Sequence, residues 1–592
     1  MLPKRLARFA WCALISLSVA TATAAEPTFF PNLSTVWIPR GTSQLLKPYL
    51  PTAVGTSGNY RFVVETPKYL KFIVVEPGCG NPPDDIRIEP GETRNGVAYV
   101  RHVLKYNKAD KLGVPGTAHI AALLFRADQD APEGGGRLLT YTLSSEGKPG
   151  ELRPTELVIL PPLKNVRPKR VRIAPCYYTP MFAPKVAEAY AENAWQSGVT
   201  WIYGKTHNDV VSILQPRGLR VYCDKPGEPF QAYGKAAEDF LKGHPELHAV
   251  GYDGKPQSNL FCPTWLLSPD GVKMRRVLED QLVGMVDADR CAALSWDVEQ
   301  PVCSEGEGFC LCPRCLAAFR ERQGLAGDVK LDAKSIVARH KDAWVMFRCR
   351  QNAEVVGQAR AALKRCARPI EFAVYSGYHR PYTREHYGVD WALLAPHLDL
   401  AIAGYGGSRD ELRETRKALG RVPFISGLMC YLAEAPIATP ADWMKYDLAK
   451  VPNPLAWRNG LLQQFVDGGC KGVLIWWLPT MDGGAFYYTS EAAEIIAVYE
   501  DLFCSGGRCD DKLRVIGLNA EQWAAFEQDG RRLLLLMNPT AKAVAVHVAQ
   551  PAIPDHWKVR LHGEPKPVQF DPKAFDLALE PWGTRVVVFS KP

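Results

Sequence analysis

From Arg170 to about Asp510 the chain alternates short apolar runs with amphipathic stretches, and this rhythm narrows the fold more than any single motif does. Eight runs predict strands: Arg172–Cys176, Thr200–Tyr203, Leu219–Tyr222, Ala292–Glu299, Glu371–Tyr375, Leu398–Ala403, Pro423–Leu428 and Gly472–Trp477. Helical periods lie between and after them, over Ala183–Gln196, Val272–Val286, Ala333–Arg365, Asp410–Leu419, Ala456–Val466 and Glu491–Leu502. Strands that alternate with helices form a parallel sheet, because each parallel connection must cross over. Eight such units predict a (β/α)8 TIM barrel, with its functional groups at the C-terminal ends of the strands. A doubly wound sheet fits less well, since no Gly-rich phosphate turn follows an early strand. A ninth apolar run, His248–Tyr252, belongs on an insertion between the third and fourth strands.

On both sides of this region the pattern changes to short alternating strands broken by Gly, Pro and Asp. Tyr60–Val64, Ala98–Val100, Ile120–Phe125 and Glu156–Leu160 precede it; Arg532–Met537, Ala543–Val548 and Arg585–Phe589 follow it. Such spacing predicts β-sandwiches. The expected organisation is a signal segment 1–25, an N-terminal β-sandwich 26–168, a barrel 169–510 and a C-terminal β-sandwich 511–592, with Lys164–Lys169 as a linker. Lys4, Arg5 and Arg8 precede an apolar Phe9–Val19 and a small-residue Ala22-Thr23-Ala24. That is the pattern of a secretory signal, so a secreted or periplasmic protein is expected. No later run approaches the roughly 18 apolar residues of a membrane span, which argues against membrane insertion. Removing the three signal cations leaves +5 of the formal net charge of +8, and no Lys/Arg cluster alternates with aromatics. Nucleic acid is therefore not an expected partner.

The chemistry concentrates in Ser295–Arg320, SWDVEQPVCSEGEGFCLCPRCLAAFR. Asp297 and Glu299 sit two apart at a predicted strand end, so both point to one face, about 7 Å apart along the chain. Burial and a like-charged neighbour would both raise the Glu299 carboxyl, which suits a general acid. The alternative is that the pair caps the strand and bonds loop amides. Glycoside hydrolysis needs a second carboxylate. Glu434, after the seventh strand, and Asp482, after the eighth, are the candidates, with Asp253 and Glu305 as outsiders. A loop carboxylate standing far enough from Glu299 to admit a water would give an inverting enzyme. Tyr203, Tyr375, Tyr405, Trp476 and Trp477 are placed to floor a sugar subsite, although Trp476 and Trp477 alternate and cannot both face inward.

This segment resembles the β-galactosidases of glycoside hydrolase family 42, (β/α)8 enzymes of a retaining clan. The resemblance lies in Asp297-Val298-Glu299, in Cys310-Leu311-Cys312-Pro313-Arg314-Cys315 with Phe319-Arg320, and in the earlier Phe261-Cys262-Pro263-Thr264. It implies Glu299 as acid/base and a zinc site completed by the earlier cysteine. Two positions depart from the family pattern. Val298 stands where the clan has Asn, and Pro423–Met429 on the seventh strand carries no carboxylate where the clan keeps its nucleophile.

Cys310, Cys312 and Cys315 are too close in sequence to find ordinary disulfide partners among themselves. With Cys262 they make a four-thiolate set suited to a closed, structural Zn2+; the alternative is a disulfide from Cys303 to one of them. Four thiolates leave no open position, and no HExxH occurs, so a zinc-dependent hydrolase is not expected. Cys504 and Cys509, in a Gly/Ser loop, predict a local disulfide. The expected function is a secreted glycoside hydrolase acting on an oligosaccharide or polysaccharide. The alternative is a non-catalytic carbohydrate-binding protein on a degenerate glycosidase barrel.

Overall fold

The computed structural model describes residues 28–592 except 31–34, 50–59, 77–81, 108–121, 144–151, 178–181, 206–207, 226–228, 290, 300–309, 406–407, 431–453, 469–470, 477, 551–552, 555, 565–569 and 592. The expected signal segment, and with it Cys303, Glu305, Glu434 and Trp477, lies outside the described residues. The chain divides into two compact units, one ending at Leu160 and the other beginning at Pro161.

In the first unit a four-stranded sheet and a six-stranded sheet share one core. The smaller sheet runs Thr28–Phe30, Ser43–Tyr49, Leu123–Ala127, Leu70–Val75 across its width. The larger runs Thr35–Pro39, Arg153–Leu160, Gly134–Leu143, Tyr60–Pro67, Val97–Tyr106, Asp85–Arg94. Leu46, Leu123 and Phe125 from one meet Val36, Ile38, Phe62, Leu104 and Leu157 from the other. Alternation explains the arrangement, since every second side chain of a strand faces the partner sheet.

The second unit is built on a closed barrel of eight strands in chain order: Arg172–Tyr177, Trp201–Gly204, Arg220–Lys225, Ala293–Asp297, Glu371–Ser376, Leu400–Tyr405, Phe424–Met429 and Gly472–Trp476. All neighbouring pairs are parallel, and the last strand pairs with the first. The His248 run pairs as His248–Val250 with Pro256–Phe261 in a two-stranded insertion. Inward residues Ala174, Trp201, Tyr222, Ala293, Ala373, Ile402, Ile425 and Leu474 fill the interior. Leu294, Trp296, Phe372, Val374, Ala401 and Phe424 face the helices outside.

The base of the barrel is plugged by one ion pair. Arg172, opening the first strand, reaches Glu371, opening the fifth, through both guanidinium nitrogens, the Nη2–Oε2 contact being 2.8 Å. Arg172 also donates to the Tyr222 hydroxyl and lies 4.6 Å from the Trp201 ring centre.

Residues Gly507 onward form a five-stranded and a three-stranded sheet around a second small core that includes Val546, Phe575 and Phe589. They belong to the same unit as the barrel. From the helix Pro454–Gly468, Asn459 Nδ2 donates to the carbonyls of Asn538 (3.1 Å) and Trp582 (3.2 Å), and Arg458 Nε donates to Thr584 Oγ1 (3.1 Å).

Three expectations change. Lys164–Lys169 is no free linker: Lys164 N–H donates to Ser490, and buried Glu500 accepts from the backbone N–H groups of Lys169, Arg170 and Val171. The predicted Ala333–Arg365 helix is two helices, Ala333–Arg339 and Lys341–Leu363, broken at His340, whose backbone is not helical. Cys504 and Cys509 are both free thiols. Cys504 ends the helix Glu500–Ser505, while Gly507–Arg508 pairs as a strand with Trp523–Gln528 and carries Cys509 into the C-terminal core.

Candidate functional site

The mouth of the barrel is set by where strand four stops. Leu294, Trp296 and Val298 pack outward and Ala293 inward, so Ser295 and Asp297 face the interior by alternation. Regular structure ends at Asp297, but Val298 N–H still donates to the Tyr375 carbonyl (2.9 Å), and Ser376 Oγ donates to the Val298 carbonyl (2.7 Å). This seam with strand five carries the backbone one step further and fixes where Glu299 emerges. Val298 is 1% exposed in the helix layer and faces away from the mouth.

Glu299 is half-buried. Desolvation raises its carboxyl above the ordinary carboxylate range, and a hydrogen bond from the Tyr375 hydroxyl pulls it part of the way back. The like charge of Asp297, expected from the sequence to contribute, is not among the causes. Tyr387, which ends the helix Pro381–Tyr387 after strand five, is pushed up to about 12 by burial and then by the Glu299 charge.

A carboxylate the sequence did not single out completes the mouth. Strand three continues past Tyr222 to Lys225, and Asp224 faces inward with Tyr222 by alternation. Asp224 pairs in register with Ser295 of strand four, and its Oδ1 accepts from the Tyr203 hydroxyl at 3.3 Å. The period-2 pattern Tyr222-x-Asp224 was the available signal.

The other predicted site residues separate into distinct positions. Tyr203 is fully buried, with ring centres 6.4 Å from Tyr222 and 6.2 Å from Tyr375, and Tyr375 is 5% exposed. Both rings therefore form the packed layer beneath the mouth rather than a stacking floor, and only their hydroxyls reach the carboxylates. Trp476 is partly buried against the same interior. Tyr405 ends strand six, and its side chain lies outside the described residues. Asp482, expected as a loop carboxylate after the eighth strand, is 2% exposed and caps the helix Gly483–Val498, accepting from Ala485 N–H at 2.8 Å. Asp253 is exposed and paired with Lys255. Strand seven ends in Leu428–Met429 without a carboxylate.

Beyond strand four, Cys262, Cys310, Cys312 and Cys315 are all buried, with their sulfurs within 4.8 Å of one another. The insertion hairpin delivers Cys262 to the start of the helix Pro263–Leu267, and Cys312 caps the helix Pro313–Gln323. In both, proline follows the cysteine at the first helical position, where its missing N–H costs nothing. Cys262 Sγ lies 3.4 Å from Cys312 Sγ and 3.6 Å from Cys315 Sγ. Thr264 Oγ1 donates to Cys315 Sγ (3.1 Å) and accepts from Gln351 Nε2 (3.1 Å). The buried Arg348 guanidinium donates to the Cys310 carbonyl and to Gln351. The four sulfurs can hold a metal ion. Cys223 and Cys291 form a disulfide with Cα atoms 5.7 Å apart, a pairing across 68 residues that the sequence did not suggest.

No protein-family model matches the chain. No curated protein matches it either. Solved structures do. A β-galactosidase from Bacillus circulans sp. alkalophilus aligns with a TM-score of 0.48 at 10% identity, over 71% of this chain and 99% of its own. An α-L-fucosidase from Paenibacillus thiaminolyticus gives 0.46 at 9%, over 72% and 100%. A family 42 β-galactosidase from G. stearothermophilus gives 0.45 at 11%, over 72% and 99%. All three are distant likenesses.

Proposed function

We propose that this chain is an exported glycoside hydrolase in which Glu299 is the general acid. The observation that carries the proposal is a half-buried carboxyl at the C-terminal mouth of the barrel, raised by desolvation and oriented by the Tyr375 hydroxyl. A raised carboxyl holds its proton at the pH where a glycosidic oxygen needs one. The substrate is an oligosaccharide or polysaccharide. The buried Cys223–Cys291 disulfide fits an oxidising compartment, as the N-terminal signal pattern does. Among the described residues no helix is long and apolar enough to cross a membrane.

Cys262, Cys310, Cys312 and Cys315 would hold a structural Zn2+. Tetrahedral thiolates at about 2.3 Å from zinc stand roughly 3.8 Å apart, close to the sulfur separations described above. When bound, the ion would supply cross-linking and no open coordination position. Its role would be to anchor Cys310, and so the far end of the segment 300–309 that starts from Glu299. Thr264 supports the Cys315 sulfur by hydrogen bonding, and Arg348 holds the Cys310 carbonyl.

A screen of the purified protein against plant and microbial polysaccharides, read by released reducing ends, tests the activity. Glu299→Gln is expected to reduce turnover by a factor of about 10² to 10⁴ without unfolding the protein. Near-native turnover in that variant overturns the assignment. The competing reading, a carbohydrate-binding protein on a degenerate barrel, is favoured by one observation, the apolar end of strand seven. It predicts sugar binding by wild type and Glu299→Gln alike, with no released reducing ends.

A further inference from the structure

Among the described residues, the C-terminal ends of the barrel strands carry three carboxylates: Asp224, Asp297 and Glu299. We infer that Asp224 is the second carboxylate of the reaction, the base that takes a proton from the attacking water. The inference rests on the reading of Glu299 as the acid and supplies the partner that strand seven lacks.

The choice between Asp224 and Asp297 is one of placement. An inverting pair must flank the scissile bond, the acid at the leaving oxygen and the base at a water on the opposite face of the ring. Asp297 and Glu299 rise from one strand end two residues apart, so they line the same wall. Asp224 rises from the neighbouring strand, level with Ser295, four residues before Glu299. Neighbouring strands are about 4.8 Å apart, and four extended residues cover at most about 13 Å, a stagger that the Asp and Glu side chains partly close. The backbone stagger alone exceeds the roughly 5–5.5 Å between the carboxyl groups of a retaining pair.

The surroundings suit a base. The Tyr203 hydroxyl donates to Asp224 Oδ1 and so orients the carboxylate. Tyr203 is itself locked between Tyr222 and Tyr375, and Tyr375 holds Glu299. One aromatic layer thus orients both carboxyl groups. In the step itself, a bond forms between the water oxygen and the anomeric carbon as the glycosidic carbon–oxygen bond breaks. Asp224 takes a water proton, and Glu299 gives its proton to the leaving oxygen. Solvent then returns both groups to their starting states.

The test uses the full chain and the aryl glycoside or polysaccharide that wild type turns over fastest in the screen. Asp224→Asn is expected to lower kcat by about 10² or more with KM changed far less. NMR of the first-formed product of wild type is expected to show the anomer opposite to the substrate. The inference is overturned if Asp224→Asn keeps the wild-type kcat, if only KM rises, or if the product retains its configuration. If Asp224→Asn does not fold, the wild-type product anomer still decides. Glu299→Gln run in parallel separates the two ideas. An inactive Glu299→Gln beside a fully active Asp224→Asn removes the base and keeps the acid. An active Glu299→Gln, or a wild type that cleaves nothing in the screen, removes the acid reading and the base with it.

Discussion

Strand five carries the two ends of the barrel on one segment, and they treat buried carboxylates in opposite ways. At its first residue Glu371 meets the Arg172 guanidinium, which also bonds Tyr222 and stacks on Trp201. At its other end Tyr375 offers Glu299 only a hydroxyl. A guanidinium compensates the cost of burying an anion because it brings charge as well as donors. A hydroxyl satisfies a lone pair but brings no charge, so desolvation prevails and the carboxyl is raised. The base of the barrel is thus built to brace, and the mouth holds a carboxyl raised above the ordinary carboxylate range.

Exchanging the two glutamates is the sharpest test of this division. Glu299→Gln should abolish most turnover. Because burial raises the Glu299 carboxyl, its proton-bound form is the one the fold favours. That contribution is full below the ordinary carboxylate pKa and is lost as pH rises through the raised value. Above the raised value the ionised group costs stability, and there Glu299→Gln should melt at the wild-type temperature or above. The pH–rate profile of wild type should lose activity on its alkaline side as Glu299 gives up its proton. Glu371→Gln should do the reverse, costing about 3 kcal/mol by stranding Arg172 while leaving kcat near wild type. Denaturant melts and steady-state kinetics on both variants decide. A Glu371→Gln that folds normally but turns over slowly would break the comparison.

The barrel was legible because its strands are buried on both faces and so stand out as apolar runs. All eight predicted runs are barrel strands, shifted at their ends by up to three residues. The mouth was legible only in part. Asp297 and Glu299 stand at the end of a predicted run, whereas Asp224 lies two residues beyond the run Leu219–Tyr222. The Cys223–Cys291 disulfide joins strand three to the start of strand four across a long insertion, and no local pattern marks it. Cys504 and Cys509 show the converse error. They are close in sequence, yet an intervening strand pair separates them. Tyr203 and Tyr375 were correctly placed at strand ends, but alternation cannot say whether an inward ring is open to the mouth or sealed beneath it.

The cysteine cluster handles charge in a third way, with Arg348 fully buried beside thiols. Metal analysis of protein purified without chelator should find about one zinc per chain, and Cys312→Ser should lose both the metal and thermal stability. Cys312 also caps the helix Pro313–Gln323, so a loss of stability alone has two sources. Loss of zinc is the readout specific to a metal site. Disulfide bonds within the cluster, found by mass mapping of the untreated protein, would sink the proposal. Because Cys310 follows Glu299 closely in the chain, loss of the cluster should also lower turnover, by less than Glu299→Gln does.

The smallest effect belongs to Asp482, and it decides whether a strand-eight carboxylate has any part at the mouth. Its neighbours Gly483 and Gly484 suggest a loose loop, but the residue sits at the N-cap of a sixteen-residue helix, extended in backbone and almost without exposure. An aspartate there accepts from N–H groups that have no partner within the helix, and its charge complements the positive end of the helix dipole. Asparagine caps nearly as well as aspartate, whereas alanine does not, which gives a pair of variants with opposite readouts. If Asp482 is only a cap, Asp482→Ala should cost about 1 kcal/mol in a denaturant melt, and Asp482→Asn should cost little. Neither should change kcat measurably. If Asp482 were instead the second carboxylate, Asp482→Asn would keep its stability and lose its turnover. That result would also unseat Asp224, because an inverting site needs only one base.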